Sequence, residues 1–242
     1  MKSYHINKGA GLAGLTIREH DIPAPGPREV LVRVQASSLS FRELLILILG
    51  YYPLPIRPDV VPVAEGAGEV VAIGSNVTRV QVGERVAGAA FPYWMDGPFA
   101  WDSAAQLGGS LDGMLTEYAV LPEEGVVHIP EHLSFEEAAA LPLVGVTAWN
   151  ALTGGRPLQA GDTVLTLGSG GVSLCALQFA KLFGARVIAT TSSEEKAERL
   201  KALGADDVVN YRTTPDWHVA VRKLTGGRGI DQVVEVGGPG TI

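Results

Sequence analysis

The sequence predicts an α/β protein in two parts, a strand-rich first part and then a doubly wound parallel sheet. Three observations carry this reading. The first is Gly168-Ser-Gly-Gly-Val-Ser173, a Gly-x-Gly-x-x-Ser run between apolar Thr163–Leu167 and the helix-like stretch Leu174–Leu182. A strand-to-helix turn of this kind presents backbone N–H groups and a positive helix end to a phosphate. The second is the regular alternation of strand and helix patterns from Gly161 onward. The third is a series of short valine-rich runs before it, broken by Gly and Pro, which is how a barrel or sandwich reads.

In the first part, Glu29–Gln35 alternates, with Val30, Val32 and Val34 on one face. Glu69–Ile73 and Arg79–Val86 read as strands broken by Gly74 and Gly83, and Tyr118–Leu121 and Val126–Ile129 add two more. Ser134 with Glu137 forms a capping box ahead of an alanine-rich helical run, which is expected to lead into the second domain. The boundary is expected between residues 126 and 127, giving domains 1–126 and 127–242.

In the second part, strands are expected at Thr163–Leu167, Arg186–Thr190, Asp207–Asn210 and Asp231–Val236. Helices are expected from the glycine turn to about Phe183, over Glu194–Leu203 and over Trp217–Leu224. Helices between successive strands imply parallel pairing. The chain ends at Gly237-Gly-Pro-Gly-Thr-Ile242. A six-stranded dinucleotide sheet takes roughly 60 residues more, at about 30 per βαβ unit. A C-terminally truncated sheet is therefore expected, with a natural four-stranded sheet as the alternative.

Composition narrows the class. A chain of 242 residues with 46% hydrophobic and 19% charged residues is long enough for two cores. A formal charge of −7 disfavours nucleic acid and acidic membranes as partners. Cys175 is the only cysteine, so no intrachain disulfide can form, and a reducing cytoplasm is the expected location. Met1-Lys-Ser-Tyr-His5 lacks the apolar core of a signal peptide, and Leu44–Leu49 is too short to span a bilayer.

Ordered phrases run through nearly the whole chain: Pro25–Val34, Ala67–Gly74, Val82–Val86, Asp112–Tyr118, Leu141–Trp149, the glycine turn, Leu203–Asp206 and Asp231–Gly237. The set resembles the medium-chain dehydrogenase/reductase superfamily, in its zinc-independent quinone-oxidoreductase branch. The resemblance implies a chaperonin-10-like β-rich catalytic domain followed by a Rossmann domain, here incomplete at about four strands. It also implies a small-molecule substrate, and a homodimer for a full-length chain.

Zinc relatives of this fold hold their metal on cysteine and histidine with one position open. By the resemblance, those ligand places carry Ser40, Ala64 and Leu143, with Glu65 following the second. A hydroxyl, a methyl and an isobutyl group are not zinc ligands, so no metal is expected. His128 and His132, four apart, flank Pro130, which breaks the helical face that ligation would need. Cys175, inside the helix after the glycine turn, reads as a small buried hydrophobe.

The expected coenzyme-binding residues are Gly168, Ser169, Gly170, Gly171 and Val172 in the turn, and Thr191, Ser192, Ser193 and Lys196 after the second strand. Gly168 allows the tight turn, Gly170 allows close approach of phosphate, and Ser173 is small enough for helix–sheet packing. NAD enzymes carry an acid near the end of the second strand; here Thr191 stands there. Hydroxyls and Lys196 suit a 2′-phosphate, so NADPH is expected ahead of NADH. Glu194 and Glu195 weigh against it, and Ser192 with Glu195 also reads as a capping box. Tyr211 resembles the family's tyrosine beside the adenine ribose; ordinary packing is its alternative role.

Positions resembling the family's pocket lining are Ser40, Phe41, Glu43, Glu65, Leu143 and Thr147. Ser40, Glu43, Tyr52 and Thr147 are the candidate catalytic residues. The alternatives are an Arg42–Glu43 ion pair, aromatic packing for Tyr52 and helix packing for Thr147. The aromatics of loop Phe91–Ser110 floor a flat pocket or form a local core. The expected activity is hydride transfer from NADPH to a quinone or an activated alkene or carbonyl. Its rivals are a zinc-type alcohol dehydrogenase and a non-catalytic, crystallin-like NADPH-binding protein.

Overall fold

The computed structural model describes residues 1–238; the last four residues of the expected chain-end segment lie outside the described residues. The chain divides into two compact units, Met1–Leu143 and Val144–Ile242.

The first unit opens with a hairpin that the valine pattern did not reveal, β1 (Lys2–Ile6) against β2 (Leu15–Glu19). Its strands alternate weakly in hydrophobicity. Its place is set by pairing elsewhere, with Tyr4 N–H on Leu115 O at 3.0 Å and Ile6 N–H on Val60 O at 3.1 Å. Buried Ser3 lies here, its Oγ 2.9 Å from His5 Nε2 and 2.7 Å from His20 Nε2.

The main sheet of this unit comprises β3 (Glu29–Ser38), β4 (Glu65–Ile73), β5 (Arg85–Gly88), β6 (Tyr118–Pro122) and β7 (Val126–His128). All its pairings are antiparallel, in the order β6-β3-β4-β5-β7. Val30, Val32, Val70, Val86, Met114 and Leu121 form its core. The strand expected over Arg79–Val86 begins only at Arg85. Gly83, at φ 93°, turns the chain first and donates its N–H to Val70 O at 2.8 Å.

β7 pairs with β5, so the division falls after Leu143 rather than after residue 126. The helix that follows, Phe135–Ala139, is short and stays with the first unit, its Ala138 and Ala139 packing beside Ala67 and Ile129. Its expected cap is present, with Glu137 N–H on Ser134 Oγ at 3.2 Å and Ser134 N–H on Glu137 Oε2 at 2.8 Å.

Glu123 is a buried carboxylate that ties a loop to this sheet. It accepts the N–H groups of Thr78 at 2.7 Å and Arg79 at 3.0 Å, and Arg28 lies 3.2 Å away. The two amides hold its carboxyl below the ordinary carboxylate range. A depressed folded-state value means stability that is present above the unfolded-state value and lost as pH falls through the folded one. Glu123→Gln is expected to lower the urea midpoint at neutral pH, with the gap to wild type closing as the pH falls below about 4. Parallel midpoints across that range would contradict the assignment.

The second unit begins with a helix, Val144–Thr153, and contains β8 (Thr163–Thr166), β9 (Arg186–Thr191), β10 (Asp207–Asn210) and β11 (Gln232–Val234). The order is β10-β9-β8-β11, parallel throughout. Residues of β8 are buried on both faces, as expected of a parallel sheet covered by helices. One face packs Ala148, Leu152, Ala176, Leu177, Ala180 and Leu200 from three helices. The other packs Val221 and Trp217 against Leu165, Ile188 and Val209. Cys175 is half-buried and packs against the first of these cores, less enclosed than the buried hydrophobe expected. Among the described residues, no helix is long and apolar enough to cross a membrane.

Candidate functional site

The strand order itself locates a crevice. The chain runs from β8 outward to β9 and β10, then returns to the other side of β8 for β11. Loops leaving β8 and β11 therefore diverge, and in open parallel sheets ligands bind at that divergence, beyond the carboxyl ends of the strands. A cleft of about 640 Å³ opens there, within the range of small-molecule sites. Gly168, Gly170, Thr190, Tyr211, Trp217 and Gly237 contribute to its lining.

Three helices, α1 (Phe41–Leu44), α2 (Phe135–Ala139) and α3 (Val144–Thr153), precede this point, and the turn from β8 into the next, α4 (Gly171–Leu182), follows the glycine pattern. Gly168 has φ 79°, a conformation that costs little only in glycine. Its N–H donates to Thr190 Oγ1 at 3.0 Å. Gly170, extended at φ −82° and ψ 175°, is the N-cap and offers no side chain to cap the helix amides. A Cβ at Gly168 or Gly170 meets nothing within 4 Å. The uncapped amides thus face open space, which is the cradle a pyrophosphate requires. The site fits a dinucleotide.

The neighbouring turn residues divide their tasks. Gly171 serves packing, since a Cβ there meets Val144 Cγ1 at 3.1 Å, and Val172 packs against the helical core. Ser169 is half-buried within the turn. Ser173 is buried and donates its hydroxyl to Leu167 O at 2.9 Å, closing the turn from beneath.

At the end of β9 the structure amends two expectations. Thr191 is 1% exposed and its Oγ1 is buried without a hydrogen-bond partner, so this hydroxyl does not reach the cleft. The residue that lines the cleft is Thr190, because strand side chains alternate and Thr190 faces the glycine turn, its Oγ1 accepting the Gly168 N–H. The second amendment concerns the helix Glu194–Ala202. Its cap is Ser193, whose Oγ accepts Lys196 N–H at 3.3 Å, and not the expected Ser192–Glu195 pair. Ser192 stays half-buried just before it, and Lys196 is exposed. Tyr211 contributes to the lining of the cleft. Pro215 and Trp217 were not anticipated there; the helical pattern of residues 217–224 signals packing and says nothing of a cleft.

In the first unit, Ser40, Glu43 and Tyr52 gather around Arg42. Arg42 is 6% exposed; it donates to Glu43 Oε1 at 3.0 Å, Gln106 Oε1 at 2.9 Å and Leu107 O at 3.2 Å. Its guanidinium lies 4.8 Å from the Tyr52 ring centre. Glu43 Oε2 accepts from Ser40 N–H at 2.9 Å and from Ser40 Oγ at 2.7 Å. Both oxygens of Glu43 are thus engaged by protein donors, so this carboxylate braces the start of the short helix Phe41–Leu44. Thr147 lies in the second unit, on the exposed side of its first helix.

The zinc-ligand places were tested on their donor chemistry. Ser40 Oγ is the donor to Glu43, Ala64 offers a buried methyl group, and Leu143 donates its N–H to Glu65 Oε1 at 2.9 Å. This set does not fit a zinc ion. Among the described residues, no three His, Cys, Asp or Glu side chains come together to hold a metal. His128 instead pairs with Glu84, 2.9 Å away. The segment carrying Ala64 and Glu65 is held tightly. Val63 adopts φ 77°, rare for a β-branched residue. A Cβ at Gly113 would come within 2.2 Å of Val63 O, so only glycine admits this segment.

Residues 26–131 match the model of the alcohol dehydrogenase GroES-like domain, and residues 171–242 that of the zinc-binding dehydrogenase. A zinc-type alcohol dehydrogenase-like protein of Schizosaccharomyces pombe is 44% identical over 237 residues, covering 96% of this chain and 68% of that protein. The chain belongs to the medium-chain dehydrogenase/reductase superfamily. A quinone oxidoreductase of Pseudomonas aeruginosa is 39% identical over 198 residues, 81% of this chain and 54% of its own length. The crystal structure of a putative alcohol dehydrogenase from Sinorhizobium meliloti 1021 superposes with a TM-score of 0.89 at 40% identity, covering 100% of this chain and 72% of that one. This chain therefore spans between 54% and 68% of the two curated superfamily relatives. The superfamily supplies oxidoreductases built as a GroES-like domain followed by a Rossmann-type one, which is the architecture described above.

Proposed function

We propose that this protein is a zinc-independent oxidoreductase that uses NADPH to reduce a quinone or an activated alkene or carbonyl. The reading rests on one observation above all, the open glycine cradle at the switch point between β8 and β11. When bound, the coenzyme supplies a hydride from nicotinamide C4. The protein's own share is positioning. The amides at the start of α4 orient the pyrophosphate, and Thr190 holds the turn that presents them. Quinones and conjugated carbonyls carry their own electron sink, which lessens the need for a Lewis acid. The zinc-ligand places support the zinc-free form, since Ser40, Ala64 and Leu143 offer no such donor set.

NADPH is favoured because the two carboxylates that weighed against it have partners. Glu195 pairs with Arg199 at 2.6 Å and Glu194 accepts from Asn210 at 2.6 Å. Lys196 and Arg212 are exposed cations close in sequence to the cleft residues Thr190 and Tyr211, and among the described residues neither is in an ion pair. The test is coenzyme consumption with a panel of quinones, enones and aldehydes, run with NADPH and NADH and with and without a chelator. Consumption unaffected by chelator, and faster with NADPH, is the expected result. Coenzyme binding without consumption across the panel would favour a binding protein, and loss of activity with chelator would favour the zinc-type alcohol dehydrogenase.

A further inference from the structure

Coenzyme choice turns on the charge around the 2′-position of the adenine ribose, and here that charge depends on a residue the cleft does not contain. Asn210 ends β10 and is the register partner of Thr191 at the end of β9. Its side chain is bonded at both ends. Nδ2 donates to Glu194 Oε1 at 2.6 Å, and Oδ1 accepts Arg212 N–H at 3.1 Å. The two bonds also fix the amide orientation, because a flipped amide would set oxygen against carboxylate and NH₂ against N–H. Glu194 is the first residue of its helix, beside Ser192 and Ser193. A carboxylate there is favoured by the helix end wherever it points. Asn210 decides where it points, drawing it to the end of β10.

We propose that Asn210 is a specificity-determining positioning residue: by holding the Glu194 carboxylate against β10, it leaves the rim between Ser192 and Lys196 cationic, which selects a 2′-phosphorylated adenylate. The proposal rests on the dinucleotide reading of the cleft. Without the Asn210 amide, Glu194 is free to turn toward the same rim. There it repels a 2′-phosphate and can accept a hydrogen bond from a 2′-hydroxyl. With water between them, a carboxylate brought within about 5 Å of a phosphate dianion reduces its binding by about tenfold.

The experiment is calorimetric binding of two coenzyme fragments, 2′,5′-ADP and 5′-AMP, to the whole chain. Wild type is expected to prefer 2′,5′-ADP. Asn210→Ser, whose hydroxyl can still accept Arg212 N–H but cannot reach Glu194, is expected to cut that preference about tenfold. Adding Glu194→Gln to Asn210→Ser is expected to restore it, because the freed side chain then has no charge. A merely structural role for Asn210 lowers both affinities together, and Glu194→Gln does not rescue it. Glu194→Ala alone, with Asn210 intact, is expected to leave the preference near wild type. An unchanged ratio in Asn210→Ser, a loss that Glu194→Gln does not restore, or a large rise in preference in Glu194→Ala would each overturn the proposal alone. Failure of the wild type to bind either fragment would instead overturn the dinucleotide reading itself.

Discussion

Gly170→Val is expected to weaken binding of the nicotinamide coenzyme about ten- to a hundredfold while leaving the fold intact. The fold tolerates the change because Gly170 already sits at φ −82° and ψ 175°, an extended conformation that valine favours. No atom lies within 4 Å of the added Cβ. The ligand does not tolerate it, because the branched side chain enters the space in front of the first amides of α4. Overpacking of that kind costs about 1–3 kcal/mol, which is the loss in affinity given above. Gly168→Ala provides the contrast. Gly168 has φ 79°, so a side chain there strains the turn itself and lowers stability as well as affinity. Calorimetric titration of coenzyme and urea unfolding of both variants separate the two cases. Unaltered coenzyme affinity in Gly170→Val would remove the cradle from the argument.

The largest effect on stability is expected at Arg42. Arg42→Ala removes a buried guanidinium and leaves Glu43, with a side chain 13% exposed, without its charged partner. It also strips Gln106 Oε1 and the Leu107 carbonyl of a donor. Breaking one side of a buried ion pair costs about 3 kcal/mol or more. Arg42→Met with Glu43→Gln is expected to recover much of that loss, because no charge is then stranded. Urea midpoints of the single and double variants give the comparison. If the single and double variants unfold alike, Glu43 is not held by Arg42. This network also bears on chemistry. Ser40, Glu43 and Tyr52 are close together, but both carboxylate oxygens of Glu43 and the Ser40 hydroxyl are already bonded within the brace. Their proximity alone therefore does not make them a proton relay.

Much of the second unit was legible because its signals are local. The strand Asp207–Asn210 and the helix Trp217–Leu224 have the expected limits. A helix pattern, a capping residue and a glycine at positive φ each depend on neighbours within a few positions. The first unit was less legible. β1 and β2 carry little alternation, and long-range backbone pairing gives them their place. The run Arg79–Val86 has the composition of a strand, yet a turn at Gly83 precedes its pairing. Pattern reports what a segment can be, and partners decide whether it is.

The sequence by itself determined the class of the fold, the glycine turn and its neighbours, the poor match of Ser40, Ala64 and Leu143 to a metal, and the superfamily. Each follows from residue identity over a short span or from an ordered set of such spans. The tertiary structure alone decided that Thr190 and not Thr191 faces the cleft, that Trp217 lines it, that His5 and His20 meet at Ser3, and that Asn210 captures a carboxylate sixteen residues away. Those depend on strand register, side-chain direction and the approach of distant segments, which no local pattern encodes.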